Sequence, residues 1–321
     1  MPEQALREVE HEITVAAPPE RVYDLIADVR NWPSVFPPTV HVDHVSRGES
    51  QERIQIWATV NGTPRQWTSR RTLDRDALRV EFRQEVPSAP IAAMGGAWIV
   101  EPAAHGGCRV RLLHDYRAAG DDPETLRWID RAVDANSGSE LAALKHHAEL
   151  SASAADLFLD FEDTVRIRGS AKDAYAFVAE AQHWADRLPH VASVSLAEDS
   201  PGLQILGMET RTPDGSTHTT ESVRVCFPHH TIVYKQTTLP PLMSLHTGRW
   251  RFEEDGSGTT AVTSRHIAVI DPGNIARALG ADAGIPEARR FLRDALGANS
   301  RATLSHAGAH AEARAAAART Q

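Results

Sequence analysis

Residues 66–74 read Gln66-Trp67-Thr68-Ser69-Arg70-Arg71-Thr72-Leu73-Asp74. Strand-forming residue types and the flanking turn signals predict a β-strand, so alternate side chains share a face. Trp67, Ser69 and Arg71 then point one way, and Gln66, Thr68, Arg70 and Thr72 the other. A face carrying tryptophan is an inward face. An arginine on it is costly unless a partner or a ligand needs the charge.

The strand sits in a chain that repeats itself. An offset of 152 carries Trp32 to Trp184, Tyr23 to Tyr175, Gln84 to Gln236, Trp98 to Trp250 and His114 to His266. One constant shift through these landmarks is a tandem duplication of a domain, not a solenoid of short repeats. The small-residue stretch Ser151 to Ala155 separates the copies, which gives domains at 1–152 and 153–321. Each copy opens with an alternating strand, Val9 to Val15 in the first. Pro18-Pro19 then starts a helix whose stripe is Val22, Leu25, Ile26 and Val29. About six strands follow, divided by turn signals such as Asn61-Gly62 and Asp214-Gly215. A long helix closes each copy, roughly 123–150 and 286–317. This order predicts an α+β fold of two domains, each a curved antiparallel sheet around a long C-terminal helix, with a cavity between them.

Strand alternation predicts which residues line that cavity. Val110, Leu112, His114 and Tyr116 share the apolar face of one strand, so His114 points inward. Trp98 follows Gly95-Gly96, a pair that suggests a bulge or a bend making room. The helix stripe runs Leu126, Ile129, Val133, Asn136, Glu140, Leu144, with Asn136 and Glu140 interrupting an apolar seam. The Ala-Asn-Ser motif at 135–137 recurs at 298–300. The second copy therefore carries 11 extra residues before it, placed around Gly280 to Ile285. Each polar residue has an ordinary structural explanation: His114 as a satisfied core imidazole, Arg71 paired with Asp74 or Glu140, Asn136 on a loop carbonyl. Their convergence from separate elements on one interior favours a site.

Composition sets the outer bounds. The 321 residues are 41% hydrophobic and 24% charged, as in globular proteins. A formal net charge of −9 argues against nucleic acid or an anionic membrane as partner. Cys108 and Cys226 are the only cysteines, so no disulfide framework or CxxC knuckle exists. The charged start and the lack of a long apolar run predict a cytoplasmic protein. Phosphate-loop, dinucleotide, HExxH and GxSxG signatures are absent. His306 and His310 stand four apart without a third metal ligand, and neither a metal nor an organic cofactor is expected.

Three motifs together, Asn31-Trp32-Pro33 with Phe36-Pro37, Trp67-Thr68-Ser69-Arg70-Arg71, and Leu112-Leu113-His114-Asp115-Tyr116, resemble polyketide aromatase/cyclases of bacterial type II synthases. These are START-like, helix-grip proteins, and the two-copy layout resembles their didomain members. The resemblance implies a poly-β-ketone substrate tethered to an acyl carrier protein, alongside other synthase components. It implies a first-ring aldol closure, carbon seven onto carbon twelve of a chain reduced at carbon nine, followed by dehydration to an aromatic ring. It also implies catalytic roles for Arg71, as a donor to the developing enolate, and for His114, as the proton shuttle. Trp32, Phe36, Trp67, Ser69, Trp98, Tyr116, Asn136 and Glu140 would line the substrate site. In this reading Arg71→Ala costs activity but not folding.

In the second copy the corresponding pocket set is Trp184, His218, Ser222, Trp250, His266 and Asn299. Aligned on the strand start, His218 takes the place of Trp67 and Ser222 that of Arg71, so the tryptophan–arginine pair is lost there. Ring closure is then expected in the first copy, with the second assisting dehydration or buttressing. The alternative is a non-catalytic carrier of a hydrophobic molecule, since one fold can serve both ends.

Overall fold

The structure is a computed structural model that describes residues 6–320 apart from 61, 88, 121, 212–214, 216 and 257, with the side chains of 318–320 also outside the description. Asn61 and Asp214, the first halves of the two expected turns, lie outside the described residues. Their partners Gly62 and Gly215 adopt φ of 77° and 86°, the left-handed region glycine tolerates. The chain divides into two compact units, Met1–Ala155 and Asp156–Gln321, here called domains one and two.

Domain one runs β1 (Arg7–Val15), α1 (Pro19–Ala27), α2 (Trp32–Val35), β2 (Thr39–Arg47), β3 (Gln51–Val60), β4 (Thr63–Asp74), β5 (Arg79–Gln84), β6 (Ile91–Pro102), β7 (Cys108–Ala118) and α3 (Pro123–Ser153). All pairs are antiparallel, in the order β1-β7-β6-β5-β4-β3-β2. The first strand thus lies beside the last, and the sheet curls around α3, which packs on β1 and β7. Pro19 opens α1, and Val22, Tyr23 and Ile26 are its buried face. Asp122 caps α3 by accepting from the backbone N–H groups of Glu124 and Thr125, with Pro123 in the first turn. Ile129, Val133, Ser137, Leu141, Leu144 and Ala148 form the buried stripe of α3. Leu141, Leu144 and Ala148 of this stripe share the domain core with Val15, Val110, Leu112 and Trp98.

Domain two repeats the plan with β8 (Phe158–Arg168), α4 (Ala171–Ala179), α5 (Trp184–Arg187), β9 (Val191–Ser200), β10 (Leu203–Arg211), β11 (Thr217–Phe227), β12 (Thr231–Thr238), β13 (Met243–Glu254), β14 (Thr259–Ile270), α6 (Ile275–Leu279) and α7 (Ile285–Thr320). Its sheet order is β8-β14-β13-β12-β11-β10-β9. The extra residues form a short turn and α6, between β14 and α7, and so begin earlier than the expected 280–285.

The paired glycines serve a close approach rather than a bulge. Pairing of β6 with β7 is regular through Gly95 and Gly96. A Cβ on Gly96 would collide with the Leu113 carbonyl oxygen and the Phe82 ring. Gly248, its counterpart in domain two, would collide with the Arg265 carbonyl oxygen and the Tyr234 ring and hydroxyl. Gly96 stands opposite His114 and Gly248 opposite His266. Glycine there lets the aromatic ring of the neighbouring strand lie against the histidine.

Candidate active site

β4 presents Trp67, Ser69 and Arg71 inward, as the alternation predicts. Arg71 is nevertheless not an unpaired cation waiting in a cavity. It is 2% exposed, and its Nη1 donates to Glu52 Oε1 at 2.7 Å. Nη1 also donates to the Ala27 carbonyl at 3.2 Å, and Nη2 to the Ile26 carbonyl at 2.7 Å. Glu52 lies directly opposite on β3. The Trp32 ring is 5.0 Å from the guanidinium carbon and itself donates to the Ile26 carbonyl at 3.0 Å. Burial pulls the guanidinium down to about 10 against the opposing pull of Glu52, which leaves it charged at neutral pH. Arg71 therefore ties the C-terminal carbonyls of α1 to the sheet. Neither expected partner, Asp74 or Glu140, is the one found.

Other expectations for domain one divide. Trp32 and Phe36 meet edge-on at 5.5 Å, and Phe36 lies 5.8 Å from Trp98. Trp67 packs with Trp32 against Val29, Val42 and Ile54. Ser69 uses its hydroxyl on the Arg83 carbonyl at 3.2 Å. Tyr116 is wholly buried, but its hydroxyl donates to Asp130 at 2.5 Å, in a separate cluster with Ile129 and Val133. It belongs to the packing of the first turns of α3. Asn136 is exposed, and the buried residue of its motif is Ser137. A helix turns 100° per residue, so a stripe assigned one residue off still looks periodic.

His114 does point at α3. Its Nδ1 lies 3.3 Å from Ser137 Oγ, and the Phe82 ring meets it edge-on at 5.5 Å. Burial lowers the imidazole to about 4, so it is neutral and able to accept a proton. One turn on, desolvation pushes the Glu140 carboxyl up to about 7. A groove of about 570 Å³ in this domain lies among Arg70, Thr72, Arg79, Glu81, Arg83 and Asp115. These belong to the outward set of the alternation, and Arg83 is already paired with Asp115 at 2.5 Å. Its wall also includes Phe82, Gly96 and His114, so the groove borders the strands that carry the candidate histidine.

Domain two corrects the alignment. Gln204, Leu206 and Met208 pair with Arg224, Ser222 and Thr220 as Glu52, Ile54 and Ile56 pair with Arg71, Ser69 and Trp67. Arg224 thus occupies the Arg71 place, Ser222 the Ser69 place and Thr220 the Trp67 place, while His218 lies nearer the strand start. The hairpin between β11 and β12 is one residue shorter than that between β4 and β5, which misleads a count from Gln236. Arg224 lies 5.3 Å over Trp184 and donates to the Val178 carbonyl at 2.6 Å. The arginine is therefore retained, over Trp184 as Arg71 is over Trp32, while the strand tryptophan is replaced by Thr220. Gln204 replaces the glutamate, and Arg224 Nη1 has no hydrogen-bond partner among the described residues.

Arg224 lines a cavity of about 130 Å³, with Trp184, Trp250 and His266 in its wall and Asn299 at an exposed position. Inside it is a polar cluster. His266 Nε2 lies 2.6 Å from Ser300 Oγ and 3.1 Å from Ser264 Oγ. His266 Nδ1 lies 3.0 Å from His246 Nε2 and 3.1 Å from the Tyr234 hydroxyl. His246 Nδ1 lies 2.9 Å from Gln236 Oε1. Phe161 stacks beneath His266 at 5.1 Å. Burial lowers His266 to about 4 and His246 to about 3, and raises the Tyr234 phenol. At neutral pH the cluster is two neutral imidazoles beside a protonated phenol, which is a base next to an acid.

Sequence reasoning passed over Arg224, Tyr234, His246, Ser264 and Ser300. The 152 offset, applied strand by strand, would have found three of them: the counterparts of Tyr234, His246 and Ser264 are Phe82, Met94 and Leu112. Three apolar positions become polar in one copy, on faces already read as inward.

The chain matches the family model described as "Polyketide cyclase / dehydrase and lipid transport" twice, over residues 7–149 and 159–312. It is 49% identical to a granaticin polyketide synthase bifunctional cyclase/dehydratase of Streptomyces virginiae, over 94% of this chain and 99% of that one. It is 48% identical to the actinorhodin counterpart of Streptomyces coelicolor, over 94% and 96%. The crystal structure of the di-domain ARO/CYC BexL from the BE-7585A biosynthetic pathway superposes with a TM-score of 0.90 at 62% identity, covering 95% of this chain and 99% of that chain. That of StfQ from the steffimycin pathway gives 0.85 at 37%, covering 96% and 99%. Two helix-grip domains, two family matches and relatives aligned end to end place this chain in the polyketide cyclase/dehydrase family, as a didomain aromatase/cyclase.

Proposed function

We propose that the chain takes a poly-β-ketone held on an acyl carrier protein and reduced at carbon nine, closes carbon seven onto carbon twelve in domain one, and removes water in domain two. In domain one His114 takes the proton of an acidic methylene, with Glu140 as the second titratable group. In domain two His266 removes a ring proton while Tyr234 protonates the departing hydroxyl. The hydroxyl leaves as water, a carbon–carbon double bond forms, and the tyrosinate recovers a proton from His266 Nδ1. Arg224 Nη1 supplies positive charge for the enolate that precedes loss of water.

One observation carries this division. The Tyr234 hydroxyl stands 3.1 Å from His266, where domain one has Phe82 against His114. Dehydration needs an acid and a base together, and of the two pocket histidines only His266 has a phenol beside it among the described residues. Size agrees: a cavity of about 150 Å³ holds one benzene ring, close to the volume found here.

The test is a reconstituted synthase whose products are identified by mass and spectrum. Tyr234→Phe and His266→Ala should accumulate a cyclised alcohol one water heavier than the aromatic product. His114→Gln should lower the aromatic product and favour spontaneously cyclised shunt products. Normal aromatic product from both domain-two variants would end the division proposed.

A further inference from the structure

His246 lines the domain-two cavity, is 3% exposed, and has both ring nitrogens in hydrogen-bond contact. We infer that His246 is a positioning residue that fixes the tautomer of His266, and so decides which of its nitrogens is the base. The inference rests on the dehydration assigned to domain two.

The argument is a count of protons along the chain of contacts. Gln236 presents Oε1 to His246 Nδ1 at 2.9 Å, and an amide oxygen only accepts, so His246 carries its proton on Nδ1. A neutral imidazole has one N–H, which leaves a lone pair on His246 Nε2. That lone pair faces His266 Nδ1 at 3.0 Å, so the proton between the rings belongs to His266 Nδ1. His266 Nε2 is therefore the unprotonated nitrogen. Ser300 donates its hydroxyl to it at 2.6 Å, and Ser264 in turn donates to Ser300 Oγ at 3.2 Å. With Nδ1 protonated, the Tyr234 hydroxyl 3.1 Å away can accept from it but not donate to it, so the phenol proton points to His246 Nε2 at 3.5 Å or into the cavity.

Domain one supplies the comparison. Met94 stands where His246 does, and no ring nitrogen holds Nδ1 of His114 from the sheet side. There the helix serine meets Nδ1, 3.3 Å from Ser137 Oγ, whereas in domain two the helix serine meets Nε2. The two histidines present opposite nitrogens to equivalent serines. The difference follows from His246, which claims Nδ1 for the sheet and turns Nε2 toward the helix and the cavity. In water the Nε2–H form of imidazole is the commoner one, so the Nδ1–H form needs such a partner.

The test is nitrogen-15 NMR of the histidine side chains in the full-length protein, together with dehydration kinetics. Wild-type His266 should show the Nδ1–H pattern, and His246→Leu should convert it to Nε2–H. His246→Leu should lower kcat for dehydration about tenfold to a hundredfold with KM unchanged, the scale seen when an orienting partner is removed. His246→Gln, whose amide oxygen can accept from His266 Nδ1, should restore the pattern and most of kcat. A wild-type His266 in the Nε2–H form overturns the inference, as does a His246→Gln no better than His246→Leu. If the tautomer behaves as stated but His266→Ala still dehydrates normally, the domain assignment fails and the tautomer assignment stands.

Discussion

Replacing Arg71 with methionine should destabilise domain one rather than only slow it. The side chains of Arg71 and Glu52 are 1% and 3% exposed, so the substitution leaves a carboxylate in the core. Breaking one side of a buried pair costs about 3–5 kcal/mol. His44 keeps a contact with Glu52 Oε2 at 3.0 Å, which favours the lower end. The Ala27 carbonyl loses its donor as well, which adds about 1 kcal/mol, while the Ile26 carbonyl keeps the Trp32 indole N–H. The expected loss is roughly 4 kcal/mol. With a urea slope of about 2 kcal/mol per molar, the domain-one transition should move down by about 2 M. Tryptophan fluorescence follows it, since five of the seven tryptophans lie in that domain (Trp32, Trp57, Trp67, Trp98 and Trp128). Glu52→Gln, which copies the Gln204 found in domain two, should cost less than half as much. An unchanged midpoint in Arg71→Met, with ring closure abolished, would refute this reasoning and return Arg71 to direct catalysis.

Further expectations concern protons and space. His114, His246 and His266 have native values near 4, 3 and 4 against 6.5 unfolded, so the unfolded chain binds protons first as pH falls. Their stability contribution is intact above pH 6.5 and is lost between 6.5 and about 4, by up to about 1.4 kcal/mol per pH unit for each; urea midpoints at pH 7.5 and 5.5 should differ less in His114→Gln than in wild type. Glu140 has the opposite sign: its native value near 7 lies above the usual carboxyl value of 4.5, so its contribution is full below pH 4.5 and lost as pH rises through 7. Glu140→Gln should therefore stabilise domain one at pH 8 by roughly 1–3 kcal/mol, and a midpoint unchanged at that pH counts against the buried carboxyl. Gly248→Ala should disorder the Tyr234–His266 contact and cut dehydration more than ring closure, which product ratios from the reconstituted synthase would show.

The duplication, the element order and the inward faces were legible because strand and helix periods are written in the chain. Trp184, Trp250, His114 and His266 were found that way. Arg71 was placed on the correct face, but its partner Glu52 was not foreseen. Register between β3 and β4 decides that pairing, and one strand does not encode its neighbour's offset. Asn136 was preferred to Ser137 because a polar residue at a seam position looks functional; the buried stripe runs through Ser137 instead. Ser222 was set at the Arg71 place, and Arg224 missed, because of one missing hairpin residue. Tyr234 and His246 were passed over because neither belongs to a motif, and only comparison with Phe82 and Met94 gives them meaning.

That comparison also says why the domain-two interior can hold so many polar groups. A lone hydroxyl or imidazole placed in a packed core costs about 1–3 kcal/mol when it lacks a partner. Tyr234 alone at the Phe82 place, or His246 alone at the Met94 place, would carry that cost. Here Tyr234, His246, His266, Ser264 and Ser300 bond one another and Gln236, so each supplies what the next requires. Arg224 Nη1 and Thr210 Oγ1 are the exceptions, buried in the same cavity without a hydrogen-bond partner among the described residues. In domain one the equivalent nitrogen is satisfied by Glu52, and the histidine has a phenylalanine for a neighbour. The frame is the same in both: tryptophan under arginine, arginine on the first helix, histidine facing a helix serine. Domain one closes that frame upon itself. Domain two leaves one cationic donor unanswered beside a neutral base and a protonated acid, in a space the size of a single ring.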